Sequence, residues 1–207
     1  MASRSDADAV VRSGTEEDTG VKALTPDELL EEFRGSRKSY GTSVPIEGVE
    51  VLPLRRFVDD RGLFLEIFRT EATHAGTGDL AAFCADSVPA QMNYSLVTAP
   101  DHIKGLHYHL RQADVWFCPP PSKLKVVLLD VRRSSPTAGC TQVVVLGDGR
   151  DALVKIPPGV AHGYRPLTLP CGLFYLVTRC FRLDDPDEHR IPFDHPSVRE
   201  LWDIRNE

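Results

Sequence analysis

The chain has 207 residues, 42% of them hydrophobic, which is enough for one domain with a buried core. Its formal net charge of -6, with no basic block, excludes nucleic acid and an anionic membrane surface as partners. No apolar run reaches the roughly 18 residues a spanning helix needs, and Met1–Gly20 lacks the apolar core of a signal peptide, so cytoplasmic residence is expected.

Residues 1–44 read as a segment apart from the main domain. Residues 1–24, rich in Ser, Asp, Glu, Gly and Thr without periodicity, predict a disordered leader. Thr25-Pro26-Asp27-Glu28 supplies an N-cap, a proline at the first helical position and a capping-box acid. Leu29, Leu30 and Phe33 then predict a short helix that stops before Gly35, followed by a polar linker.

From Val49 the pattern changes to short β-like runs. Strands are predicted over Val49–Phe57, Gly62–Arg69, Gln91–Val97, Ile103–His109, Val115–Cys118, Leu124–Val131, Gln142–Leu146, Ala152–Ile156 and Leu173–Cys180. Turn signals such as Asp59-Asp60-Arg61-Gly62 and Pro157-Pro158-Gly159 separate them. Helical pattern is scarce, and Glu71–Phe83 is read as a loop or a short helix. Many short strands at regular spacing predict an all-β sandwich or barrel over 45–207, with a jelly roll around a ligand-sized interior as the best fit. The five cysteines lack Cys-x-x-Cys spacing and are expected to be reduced packing residues.

Within this frame Lys104-Gly105-Leu106-His107-Tyr108-His109-Leu110-Arg111-Gln112-Ala113-Asp114 carries the chemistry. On a strand His107 and His109 share a face, opposite to Leu106 and Tyr108. Ile156-Pro157-Pro158-Gly159-Val160-Ala161-His162-Gly163 brings a third histidine from far along the chain, and a closed sheet would converge all three on one cavity. Buried imidazoles need partners, so that cavity is the expected site.

The chain resembles the dTDP-4-dehydrorhamnose 3,5-epimerase family of cupin-type jelly-roll barrels. The matching segments, in family order, are Asp60-Arg61-Gly62-Leu63-Phe64-Leu65-Glu66, Gln91-Met92-Asn93-Tyr94-Ser95, Lys104 to Tyr108, and Asp130-Val131-Arg132-Arg133-Ser134-Ser135-Pro136-Thr137. Ile156 to Gly163, Leu173-Phe174-Tyr175 and Glu188-His189-Arg190-Ile191-Pro192-Phe193-Asp194 follow. The resemblance implies a cofactor-free epimerase, a homodimer, acting on a nucleotide-diphospho-4-keto-6-deoxy sugar at C3, C5 or both, in deoxysugar biosynthesis. It casts His107 as the base and Tyr175 as the acid. Arg61, Phe64 and Glu66 fall on an arm that meets the nucleotide, in part from a neighbouring subunit, while Gln91, Asn93, His109 and His162 fall in the sugar pocket or at its mouth.

Four departures from the family pattern stand out. Lys104 replaces an arginine, His109 replaces a glutamine, the stretch Gln112–Leu124 matches poorly, and no residue matches the family's late aspartate. The enolate-stabilising lysine therefore falls to Lys104, with Lys123 and Lys125 as substitutes.

Blander and rival readings stand beside this one. Arg61 could close a turn with Asp59 or Asp60, and Tyr175 could serve packing alone within an apolar run. Trp116 and Phe117 are read as core or cavity wall, and His74, His102, His189 and His195 are given no role. His107, His109, Asp114 and His162 also fit a cupin site for one divalent transition metal, although such sites usually carry Glu in place of Asp. That would make the chain a metal-dependent isomerase or oxygenase. A non-catalytic sugar-nucleotide-binding cupin is the remaining alternative.

Overall fold

The computed structural model describes residues 44–71, 78–85 and 88–202. The expected leader, short helix and linker, together with His74, lie outside the described residues. The described residues are mainly β, built on two five-stranded antiparallel sheets.

The first sheet has the order β1 (Glu50–Pro53), β9 (Ala152–Ile156), β6 (Asp114–Phe117), β11 (Cys171–Val177), β4 (Gln91–Val97). The second has the order β12 (His189–Arg190), β5 (Lys104–Tyr108), β10 (Val160–Pro166), β7 (Lys123–Asp130), β8 (Thr141–Gly147). β2 (Arg56–Asp59) and β3 (Gly62–Leu65) form a separate hairpin, and α1 spans Gly78–Ala85. The sheets face each other as a jelly-roll sandwich. Their ladders do not join, so the expected barrel is open at its edges.

Inward residues of both sheets make the central core. Leu124, Val126 and Leu128 of β7 meet Trp116, Val154, Ile156 and Leu173 from the facing sheet. The alternate residues are also buried. Val127 and Leu129 lie with Leu106 and Ala161 under Val198 and Trp202 from the end of the described chain. Val115, Phe117 and Leu153 are covered by Phe83 and Cys84 of α1. Covering both faces explains why β7 and β9 read as near-continuous apolar runs rather than alternating ones. Cys84, Cys118 and Cys171 are buried among these residues.

Where the expected strands differ, the causes are local. The run Val49–Phe57 splits: Leu54 donates its backbone N–H to the Asp151 carbonyl, just before the start of β9, and the chain then leaves the sheet as β2. The Arg56 guanidinium pins this departure to Asp151 and Asp148, at 2.6 and 2.9 Å. β10 was not among the expected strands because Val160–Pro166 mixes His, Gly, Arg and Pro with apolar residues directly after a turn. It is nevertheless central in the second sheet, paired with both β5 and β7.

Candidate active site

The turn at Pro158–Gly159 carries the chain from β9 in one sheet to β10 in the other. Gly159 has φ 75°, and a Cβ there would stand 2.5 Å from Arg132 Cγ, so the left-handed turn requires glycine. Three residues later His162 is the cross-strand partner of His107 on β5, with ring centroids 4.3 Å apart. His109 follows the end of β5, its ring centroid 5.4 Å from that of His162. Asp114, at the start of β6, reaches this group from the facing sheet. One potential ligand atom from each of His107, His109, Asp114 and His162 lies within 4.8 Å of all the others.

The cluster is tightly held. Asp114 Oδ1 accepts from the Gln112 amide at 2.8 Å and Oδ2 from the Trp116 indole at 3.1 Å. His162 Nδ1 meets the Val160 carbonyl at 2.9 Å, and His109 Nδ1 meets the Asp187 carbonyl. Carbonyl oxygens only accept, so both rings carry their proton on Nδ1 and, when neutral, present a bare Nε2. Those Nε2 atoms lie 3.6 Å (His162) and 3.7 Å (His109) from the Asp114 oxygens. His162 Nε2 is fully buried without a hydrogen-bond partner among the described residues.

Burial, reinforced by the neighbouring His162 and His109 imidazoles, pushes the His107 pKa down to about 3, so this ring is neutral at ordinary pH. Burial opposes ionisation of Asp114, but His162, His109 and Gln112 outweigh it and bring its pKa down to about 2. The Tyr175 phenol is pushed up by burial and by the charges of Asp114 and Glu188, so it stays protonated.

These groups open onto a cavity of about 760 Å³ between the sheets. Gln91, Asn93, Lys104, His107, His109 and Tyr175 all line it, as do Asp114 and Trp116. His162 sits behind them, 1% exposed. Tyr175 is the ladder partner of Asn93 on one side and Trp116 on the other, and Asn93 Oδ1 accepts from Gln91 Nε2 at 2.7 Å. Phe117, one residue past Trp116, faces the outer cluster instead.

Arg61, Phe64 and Glu66 do not reach this cavity. Arg61 lies at the tip of the β2–β3 hairpin, paired with Asp59; Phe64 is exposed on that hairpin, and Glu66 pairs with Arg69. Lys123 is on β7 and does not line the cavity, which leaves Lys104 as the lysine on its wall.

Arg111, Arg179, Arg182 and Arg190 also line the cavity, and the sequence reading did not single them out. Three sit in or beside the irregular stretch after β11, where no periodicity marks an inward residue. Only the alternation of Arg with Asp and Glu over 179–190 hints at their role. His189, given no role, belongs to β12 and stacks on Tyr108 at 5.0 Å.

Comparison with known proteins identifies the family. The profile of the dTDP-4-dehydrorhamnose 3,5-epimerase family matches residues 43–206. The spore coat polysaccharide biosynthesis protein SpsL of Bacillus subtilis is 38% identical over 161 residues, covering 76% of this chain and 96% of its own. The probable low-salt glycan biosynthesis epimerase Agl13 of Haloferax volcanii is 30% identical over 159 residues, covering 76% and 94%. Among solved structures, ChmJ of Streptomyces bikiniensis, a 3'-monoepimerase in complex with dTDP-quinovose, superposes with a TM-score of 0.62 at 28% identity, over 75% of each chain. With a profile match across the whole jelly roll, the chain belongs to the dTDP-4-dehydrorhamnose 3,5-epimerase family and is an epimerase, an enzyme of the isomerase class.

Proposed function

We propose that the chain inverts C3, C5 or both in a nucleotide-diphospho-4-keto-6-deoxy sugar. The observation that carries this reading is that His107 and Tyr175 line one cavity from opposite sheets, β5 and β11. A sugar ring between them meets a neutral imidazole on one face and a protonated phenol on the other. His107 takes the proton next to the C4 ketone, the electron pair moves onto the C4 oxygen, and Tyr175 returns a proton from the opposite face. The transfer needs no redox cofactor. A cation beside the C4 oxygen lowers the barrier, and Lys104 is the cavity-wall lysine available for it.

Arg111, Arg179, Arg182 and Arg190 suit the diphosphate, because guanidinium groups bind phosphate oxygens through paired hydrogen bonds. The dTDP-quinovose held by ChmJ supports a nucleotide sugar as the class of substrate. The hairpin bearing Arg61, Phe64 and Glu66 presents exposed Phe57, Val58 and Leu63 as well. This favours an arm that packs on a second copy of the chain in a homodimer and reaches the nucleotide there.

The test is proton NMR of dTDP-4-keto-6-deoxyglucose incubated with the protein in D2O, beside His107→Ala. Deuterium entering C3 or C5 with the wild type alone supports the reading and names the carbon. Absence of exchange with this and other 4-keto sugar nucleotides, despite nucleotide binding, would replace it with a non-catalytic binding role.

A further inference from the structure

The three-histidine, one-carboxylate cluster at the cavity floor has bonding capacity that the described residues leave unmet. Both His109 and His162 turn Nε2 toward Asp114, because each Nδ1 is committed to a backbone carbonyl. The Nε2 atoms of His109 and His162 then face the Asp114 oxygens at 3.7 and 3.6 Å. These separations exceed hydrogen-bond length, and His162 Nε2 is buried without a hydrogen-bond partner among the described residues. One metal ion would satisfy both nitrogens and the carboxylate together.

We propose that His109, Asp114 and His162 form a binding site for a divalent transition metal, and that His107 stays off the ion. The site goes beyond the epimerase reading and does not depend on the identity of the sugar. Metal bonds to imidazole nitrogen and carboxylate oxygen are roughly 2.0–2.2 Å long. Ligands spread around one ion are therefore about 3–3.5 Å apart by simple geometry, close to the two separations found here. Two imidazoles and one carboxylate are the donors of a facial triad suited to Fe(II), Mn(II), Co(II) or Zn(II), with the remaining positions open.

The surrounding bonds are those such a site needs. Each ligating histidine is oriented through its other nitrogen, and the Asp114 carboxylate is held by Gln112 and Trp116. No equivalent Nδ1 anchor holds His107 among the described residues, and its half-buried ring opens onto the cavity. The anchored rings are pre-set as ligands, and His107 is left for proton transfer. A divalent ion here supplies Lewis-acid stabilisation to an oxygen that gains negative charge beside it. The lysine on the cavity wall would then be supplemented by a stronger electrophile.

The test uses untagged, chelator-treated protein without any substrate, titrated with Zn2+ and with Co2+. Three results are expected: one ion per chain, a visible Co2+ absorption band in the range of nitrogen-oxygen coordination, and a rise in Tm on adding Zn2+ to the wild type. His109→Ala, His162→Ala and the isosteric Asp114→Asn should each weaken Zn2+ binding by more than the roughly 10–100-fold typical of losing an outer-shell partner. Circular dichroism checks that each variant folds, and the wild-type Tm shift stands even where one does not. His107→Asn should keep stoichiometry and the Co2+ band. Absence of ion, band and Tm shift in the wild type overturns the site, and equal loss of metal in His107→Asn overturns its ligand set. Neither result bears on deuterium exchange, so failure of the metal site and failure of the epimerase reading are separable.

Discussion

His107 and His162 stand opposite each other in the β5–β10 ladder, and the register slips between His162 and Tyr164. The irregularity sits where two glycines bring the strands close. Gly105 has φ 129°, and a Cβ on it would lie 2.5 Å from the Gly163 Cα; a Cβ on Gly163 would lie 2.6 Å from the Lys104 carbonyl oxygen. The pairing of the two imidazoles therefore depends on the absence of side chains beside them.

Gly105→Ala should accordingly destabilise the fold by about 1–3 kcal/mol or more, since it adds backbone strain to a clash with main-chain atoms. Chemical denaturation measures this. Ala82→Gly, at an exposed position of α1, should cost only about 1 kcal/mol or less and serves as the comparison.

His107→Ala should abolish solvent exchange at the sugar carbon and lower kcat roughly 10²–10⁴-fold, the range for a lost general base. Circular dichroism and Tm check that the variant folds. Tyr175→Phe should separate the two half-reactions: deuterium still enters the substrate, while formation of the inverted product falls by a similar factor. NMR in D2O reads both.

Asp130 should make the fold sensitive to acid. Burial opposes ionisation of its carboxyl, but hydrogen bonds from Arg132, Ser135 and Thr137 overcome this and hold it well below the usual carboxylate range. The folded pKa is depressed relative to an unfolded value of about 3.9. The contribution is thus complete above about pH 4 and is lost as pH falls toward the folded pKa. Asp130→Asn should cost about 2 kcal/mol at pH 7 and flatten the acid limb of a stability-versus-pH curve.

The exposed hairpin should govern assembly. Phe64 and Phe57 are 64% and 46% exposed, and their rings lie 6.2 Å apart. Phe57→Ser with Phe64→Ser should shift sedimentation toward a monomer while leaving the Tm of the jelly roll nearly unchanged. A dimer surviving the double substitution would place the interface elsewhere.

Strands with a continuous apolar run or a clean alternation were the easiest to read from sequence. Ala152–Ile156 and Gln91–Val97 run between the expected residues, and Leu124–Val131 is displaced by one residue at each end. Each is a continuous apolar or alternating run bounded by turns. Val160–Pro166 defeated the same reasoning because a histidine, a glycine and an arginine interrupt its apolar residues directly after a turn. The histidines and Asp114 were legible as a group from spacing, but their tautomers were not. Those are set by the carbonyls of Val160 and Asp187, the second of which is 78 residues from His109. The rim arginines escaped for a related reason, since side chains on an irregular loop acquire a direction only from tertiary contacts.

Asp187 links the two ends of the pocket. Its carboxylate accepts the backbone N–H groups of Leu110, Arg111 and Gln112, and its own carbonyl receives His109 Nδ1. Arg182 precedes it by a few residues, and Arg190 follows it on β12. If these arginines hold the substrate's diphosphate as proposed, the segment that grips it is also the one whose carbonyl orients His109.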